Sequence, residues 1–179
     1  MTLHWISILL GALAVAGGLT GAFRPDLVRR FAELFPRSVV PAWILTALCC
    51  WLGAKEALAM NKGFMDAYED YIYLIAPVVF IASVIYLKEL LAPRALGGFL
   101  LLIAVPIVRT AALSGKPLFQ IVVALAYLWI VYGLILLLSP WWFRKFNKPF
   151  MENGGLFKAA AIGKTGVGIA LILLGILVY

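Results

Sequence analysis

Few side chains in this chain have the chemistry to act as ligands, acids or nucleophiles. There is one histidine, His4, and the two cysteines, Cys49 and Cys50, are neighbours within an apolar run. A metal or haem site needs several ligands at fixed spacing, usually His or Cys thiolate. A single histidine and no Cys-x-x-Cys pair exclude a bis-histidine haem protein, and no metal or cofactor is expected. Adjacent thiols in apolar surroundings behave as small hydrophobes. His4, beside Trp5, suits an amphipathic residue at a membrane interface.

The charged residues inside apolar runs are more informative. Lys55, Glu56, Arg109 and Lys164 are such residues. An unpaired charge at a bilayer centre costs about 2.5–3.5 kcal/mol on insertion scales, so each needs an interface, a partner or a wet cavity. Lys and Arg can snorkel to an interface, but Glu56 has a shorter reach. Glu56 and Arg109 are predicted at the same depth on neighbouring helices, which makes them a candidate pair. With Lys164 they form the candidate intramembrane polar site. Gly163-Lys164-Thr165 invites a phosphate-loop reading, but the first glycine of that motif would fall on Lys158, and the stretch lies in a hydrophobic segment instead of after a strand.

No nucleophile constellation exists either. Ser7, Ser38, Ser83, Ser114 and Ser139 have no histidine predicted on the cytoplasmic side, and Asp66, Glu69 and Asp70 sit among Tyr68, Tyr71 and Tyr73 as in a solvated turn at an aromatic belt. No catalytic residue is assigned, and the protein is not expected to be an enzyme.

The elements that must place these residues follow from composition. Of 179 residues, 65% are hydrophobic and 13% charged, and the mean hydropathy is +1.05. That combination belongs to a polytopic membrane protein. At about 20 residues per span, apolar runs at 4–22, 39–59, 72–91, 95–113, 118–138 and 157–178 predict a single all-α transmembrane bundle of six helices over 1–179. The first run has no Lys or Arg before it, so it is expected to be a retained helix and not a cleaved signal peptide. The fourth is the weakest, because its uninterrupted apolar part, Ala95–Val108, holds 14 residues and Pro106.

Loop charge supports six. Fifteen Lys and Arg against eight Asp and Glu give a net charge of +7. With six spans, Arg24, Arg29, Arg30, Arg37, Lys88, Arg94, Arg144, Lys145, Lys148 and Lys158 all fall on one side, whereas five would export Arg144, Lys145 and Lys148. Cations collect in short cytoplasmic loops. That predicts a bacterial-type inner (plasma) membrane with both termini outside the cytoplasm. The basic balance therefore needs no nucleic acid, and none of the loops carries a nucleic-acid module.

An offset of 115 residues aligns Gly18 with Gly133, Pro25 with Pro140, Arg29 with Arg144, Arg30 with Lys145, Phe31 with Phe146 and Gly53 with Gly168. The spacing suggests an internal repeat of two similarly oriented hairpins, spans 1–2 and 5–6. Their linkers, 24–36 and 139–151, each predict an amphipathic interfacial helix. In the first, Leu27, Phe31, Leu34 and Phe35 share a face, with Asp26–Arg30 and Arg29–Glu33 as i,i+4 pairs. In the second, Ser139 could cap, and Trp141, Trp142, Arg144 and Lys145 suit anionic headgroups. Arg29, Arg30, Trp141, Trp142, Arg144 and Lys145 are the candidate lipid or partner contacts.

Gly11, Gly17, Gly18, Gly21, Gly163, Gly166, Gly168 and Gly175 supply close-approach faces on the first and last spans. With no room for a soluble domain, few intramembrane charges and many small helix faces, the expectation is a small non-catalytic subunit or assembly factor of a larger membrane complex. Its partners would be anionic lipids and other membrane subunits or a second copy. The alternatives are a small-solute or ion transporter, with Glu56, Arg109 and Lys164 facing one wet cavity, and lipid binding at the cytoplasmic leaflet.

Overall fold

A computed structural model describes residues 3–59, 69–86 and 91–179. Lys62, Asp66, Tyr68 and Lys88, and the side chains of Glu69 and Asp70, lie outside the described residues, as do residues 87–90 of the predicted third span, whose last residue, Leu91, instead opens α5. Among the described residues the chain is helical throughout: α1 (Leu3–Phe23), α2 (Pro25–Leu34), a 3-10 turn (Phe35–Arg37), α3 (Val39–Ala59), α4 (Glu69–Tyr86), α5 (Leu91–Ala112), α6 (Phe119–Leu138), α7 (Trp142–Glu152) and α8 (Gly154–Leu177). Five of these, α1, α3, α5, α6 and α8, are long and apolar enough to cross a membrane, and α4 carries a shorter apolar stretch, Tyr71–Tyr86. The arrangement is a helical membrane bundle.

The span that looked weakest is sound. α5 begins at Leu91 and runs for 22 residues through Pro106, or about 33 Å at 1.5 Å per residue. Pro93 falls in its first turn, where a helix has no use for the missing N–H, so Pro93 and Arg94 extend the span instead of preceding it. Ser114-Gly115 then ends it, with Gly115 at φ +61°, a conformation that favours glycine.

Two closely packed helix pairs organise the bundle. α1 lies against α8, and α5 against α6, with α3 on α5 and α4 on α3. In the α1–α8 seam Ser7, Gly11, Gly18 and Gly21 of α1 are buried, as are Ala161, Gly168, Leu171 and Gly175 of α8. The helices touch at their backbones: a Cβ on Gly168 would sit 2.7 Å from the Val15 nitrogen and 2.8 Å from the Gly11 carbonyl oxygen. Polar groups reinforce the seam. The buried Ser7 hydroxyl donates to the Leu171 carbonyl at 2.6 Å, and His4 Nδ1 lies 2.5 Å from the Gly175 carbonyl oxygen. In α5–α6, Gly97 and Gly133 play the same part, since a Cβ on Gly97 would meet the Gly133 carbonyl oxygen at 2.6 Å. Close backbone approach of this kind drives helix association where lipid is as apolar as the side chains.

The predicted hairpins are therefore open. α1 packs on α8 instead of α3, and α6 on α5 instead of α8. The intervening helix explains this: ten residues of α2 extend about 15 Å, beyond the 8–10 Å between packed helix axes.

α2 and α7 lie at one end of the bundle, here the basic end, with the C-terminal ends of α1 and α6 and the N-terminal ends of α3, α5 and α8. α2 has Pro25 at its first position and turns Leu27, Phe31 and Leu34 outward, uncovered by protein. Its partner Phe35 is instead buried, 5.4 Å between ring centroids from Phe143 of α7. Phe35 and Phe143 join Ala42, Leu91, Ala92 and Leu136 in a cluster that ties the 3-10 turn, α3, α5, α6 and α7 together. A second cluster nearer the opposite end draws Leu3, Ile6 and Leu10 onto Ile107, Val122 and Leu171.

Three local expectations are corrected. Neither Asp26–Arg30 nor Arg29–Glu33 forms an ion pair; Arg29 turns away and lays its guanidinium 5.3 Å from the centre of the Phe157 ring of α8. An exposed i,i+4 pair is worth only a few tenths of a kcal/mol, less than a cation over a partly desolvated ring. The Ser139 side chain caps nothing: α7 starts without a side-chain cap, and the Ser139 carbonyl accepts from the Trp142 N–H at 3.0 Å. The side-chain cap at this end belongs to Asn153, whose Oδ1 accepts from Gly155 and Leu156 N–H groups at 3.0 and 3.3 Å and starts α8 three residues earlier than its apolar run.

Candidate functional site

Of the three residues of the polar candidate, the structure joins two. Arg109 Nη2 lies 3.7 Å from Glu56 Oε2, linking α5 to α3 at the end opposite α2 and α7, and the two side chains are 55% and 25% exposed. Matching depth was enough to pair them. Lys164 is elsewhere. It lies across the α1–α8 pair, its Nζ 2.8 Å from where a Cβ on Gly17 would stand, and it is exposed. The three are not brought together, since Lys164 stands apart from the Glu56–Arg109 pair.

The Glu56–Arg109 pair stands near the ends of α3 and α5 with Arg109 half exposed, which suits a pair screened by water at the membrane surface. A double-mutant cycle with Glu56→Gln and Arg109→Gln should return a coupling below about 1 kcal/mol that shrinks further with added salt. A coupling of several kcal/mol would show that the pair is desolvated in the membrane, as a transport role for it requires.

At the basic end the candidate contacts divide. Trp141 and Trp142 stack at 5.0 Å between centroids, and Trp142 meets Phe146 at 5.1 Å. Lys145 Nζ stands 4.3 Å from the Trp142 ring centre and 5.3 Å from that of Trp141. Arg30 and Arg144 are exposed and have no acidic partner among the described residues, whereas Arg29 is committed to Phe157, its Nε buried with no hydrogen-bond partner there. Among the described residues of α2 and α7, Lys148–Glu152, at 3.7 Å, is the one ion pair.

Two neighbouring cavities were not foreseen. One, of about 750 Å³, opens at the basic end between the 3-10 turn and the first turns of α3 and α5, with Arg37 and Arg144 among its walls. The other, about 430 Å³ and almost wholly apolar, is a cleft between α3, α4 and α5 that contains Arg94. Leu91 forms part of the wall of both. Their residues come from six elements, the 3-10 turn, α3, α4, α5, α6 and α7, and no local pattern announces them.

No group of His, Cys, Asp and Glu among the described residues is arranged to hold a metal ion. Cys49 and Cys50 are free thiols, and Cys49 Sγ lies 3.2 Å from the Ala95 carbonyl oxygen, a packing contact between α3 and α5.

The fold and these surfaces define a polytopic helical membrane protein with a basic, aromatic end. No family model, curated protein or solved structure matches this chain.

Proposed function

We propose that the protein is a small non-catalytic subunit or assembly factor of a larger membrane complex. The observation that carries this is the outer face of α8. Gly11, Gly18, Gly97, Gly133, Gly168 and Gly175 are filled by neighbouring helices within the chain, yet a Cβ on Gly163 or Gly166 would meet nothing. Small residues with an uncovered backbone suit the close approach of a further helix. Purification in mild detergent from the native membrane should yield a particle heavier than the 19.6 kDa chain with a stoichiometric partner. Gly163→Leu/Gly166→Leu should release that partner without changing the protein's own melting temperature. A lone monomer before any substitution would sink the proposal.

A second reading, binding of anionic lipid at the cytoplasmic leaflet, is favoured by the unpaired cations of α2 and α7. Each Lys or Arg near an anionic surface contributes about 1 kcal/mol. Charge reversal at Arg30, Arg144 and Lys145 should therefore lower capture of the detergent-solubilised protein by anionic liposomes; Arg29 is left alone because it packs on Phe157. Unchanged capture would remove this reading.

Both place the basic end in the cytoplasm of a bacterial-type inner membrane, following the positive-inside rule. The matching order of span, amphipathic helix and span in α1–α2–α3 and α6–α7–α8 supports an internal repeat, with Pro25 and Pro140 opening the two linkers.

A further inference from the structure

We infer that the basic cavity and the apolar cleft beside it together hold one anionic phospholipid of the surrounding leaflet, its phosphate between Arg37 and Arg144 and an acyl chain between α3, α4 and α5. This rests on the lipid-binding reading and gives it a defined site.

The charge of the cavity points to an anion. Arg37 and Arg144 are both in its wall, with Ser38 and the first residue of α3, Val39. The N-terminal turn of a helix presents N–H groups without intrahelical partners and a partial positive charge. No acidic residue lines either cavity among the described residues. Glu33 and Glu152 line the adjoining groove with Arg37 and Arg144, but neither is within ion-pair distance of them, and Glu152 is held by Lys148 at 3.7 Å. Two guanidiniums with no carboxylate among the described wall residues suit a phosphate, which accepts their forked N–H donors in pairs.

The cleft points to an acyl chain. Its α3 wall runs from Thr46 to Ala57, a length of about 17 Å. The wall starts two turns below the basic end and reaches the level of Glu56, so an extended acyl chain hung from a headgroup at the basic end can lie along it, past the middle of the bundle. Ile75, Ala76, Val79 and Gly98 supply an apolar lining. Arg94, in the first turn of α5 as described, breaks it: its Nε is buried without a hydrogen-bond partner. A phospholipid places ester carbonyls below the phosphate, where the level of Arg94 calls for an acceptor. A soluble phosphate would fill the cavity and leave the cleft and Arg94 unexplained.

The test is native mass spectrometry of the full chain in detergent, titrated with dioleoyl phosphatidylglycerol or with phosphatidylcholine of the same chains. The wild-type protein should retain one phosphatidylglycerol in preference to phosphatidylcholine. Arg37→Gln/Arg144→Gln should weaken that retention about 30-fold. Arg30→Gln/Lys145→Gln removes the same charge from residues that line neither cavity and should change retention less than about twofold. Gly53→Leu fills the cleft from a position where a Cβ meets nothing and should weaken retention about tenfold; a melting curve for each variant verifies that it is folded. Equal losses in the two double variants would overturn the site and leave diffuse surface attraction standing. No preference for phosphatidylglycerol in the wild-type chain would overturn the site and the lipid reading together. Full retention in Gly53→Leu would overturn the acyl-chain cleft.

Discussion

Valine in place of Gly168 is expected to push α1 off α8 and cost the protein about 3 kcal/mol or more of stability. The new Cβ would fall within 3 Å of the Val15 nitrogen, a Val15 methyl and the Gly11 carbonyl oxygen. Two of the three are backbone atoms, which cannot step aside as a side-chain end can. The helix axes must part, and the contacts along the seam loosen together. Overpacking in well-packed cores costs about 1–3 kcal/mol, and a backbone clash belongs at or above the top of that range. For a chain of this size each kcal/mol lowers the melting temperature by about 2–4 °C, so a fall of about 6–12 °C in detergent is expected. Gly166→Val is the control, two residues away on the same helix, where a Cβ meets nothing; its effect should stay within about 0.5 kcal/mol. Indistinguishable melting of the two variants would contradict the α1–α8 seam.

Truncating Phe143 to alanine should cost about 3 kcal/mol, the lower end of the range for buried phenylalanines. Its ring is 9% exposed and faces Phe35, which is 7% exposed. These rings hold the 3-10 turn to α7, so their loss frees the linker between α1 and α3 from the linker between α6 and α8. In a double-mutant cycle Phe35→Ala and Phe143→Ala should couple by about 0.5–1.5 kcal/mol, the increment of an aromatic pair beyond its buried area. Phe146→Ala, on the more exposed face of α7, should cost much less. Additive losses in the cycle would mean that the two rings act separately and that the linkers are not clamped through them.

The positions of the spans were readable because long apolar runs have few alternatives in a chain this hydrophobic. The start of α5 was obscured by Pro93 and Arg94, which look like loop until the first turn of a helix is recognised as tolerant of proline. Glycines marked α1 and α8 as close-packing helices but did not name the partner. The seam positions are spaced three and four apart, 4, 7, 11, 15, 18 and 21 on α1 and 161, 165, 168, 172 and 175 on α8, the spacing that keeps one stripe facing a neighbouring helix. Gly163 and Gly166 fall off that register, which is why they remain open. Glu56 and Arg109 were found by depth alone. The basic cavity was hidden because Arg37 and Arg144 come together only through packing of the two linkers, and pattern within either linker says nothing about that.

Pairing the first helix with the last also constrains how the protein is made. Ser7 and its acceptor Leu171 are separated by 164 residues. At about 5–20 residues per second of synthesis, α1 enters the membrane roughly 8–30 s before α8 emerges. Throughout that interval its glycine stripe and the Ser7 hydroxyl are without their final neighbour, in a setting where an unmet polar group is costly. The bundle cannot close progressively behind the ribosome: the α5–α6 pair can form while the chain is still growing, but the α1–α8 seam is a late step, open to substitution by any other helix that presents small residues at the same depth. Slowed translation upstream of α8 would lengthen that exposure, and the fraction of chains reaching the closed bundle would fall with it.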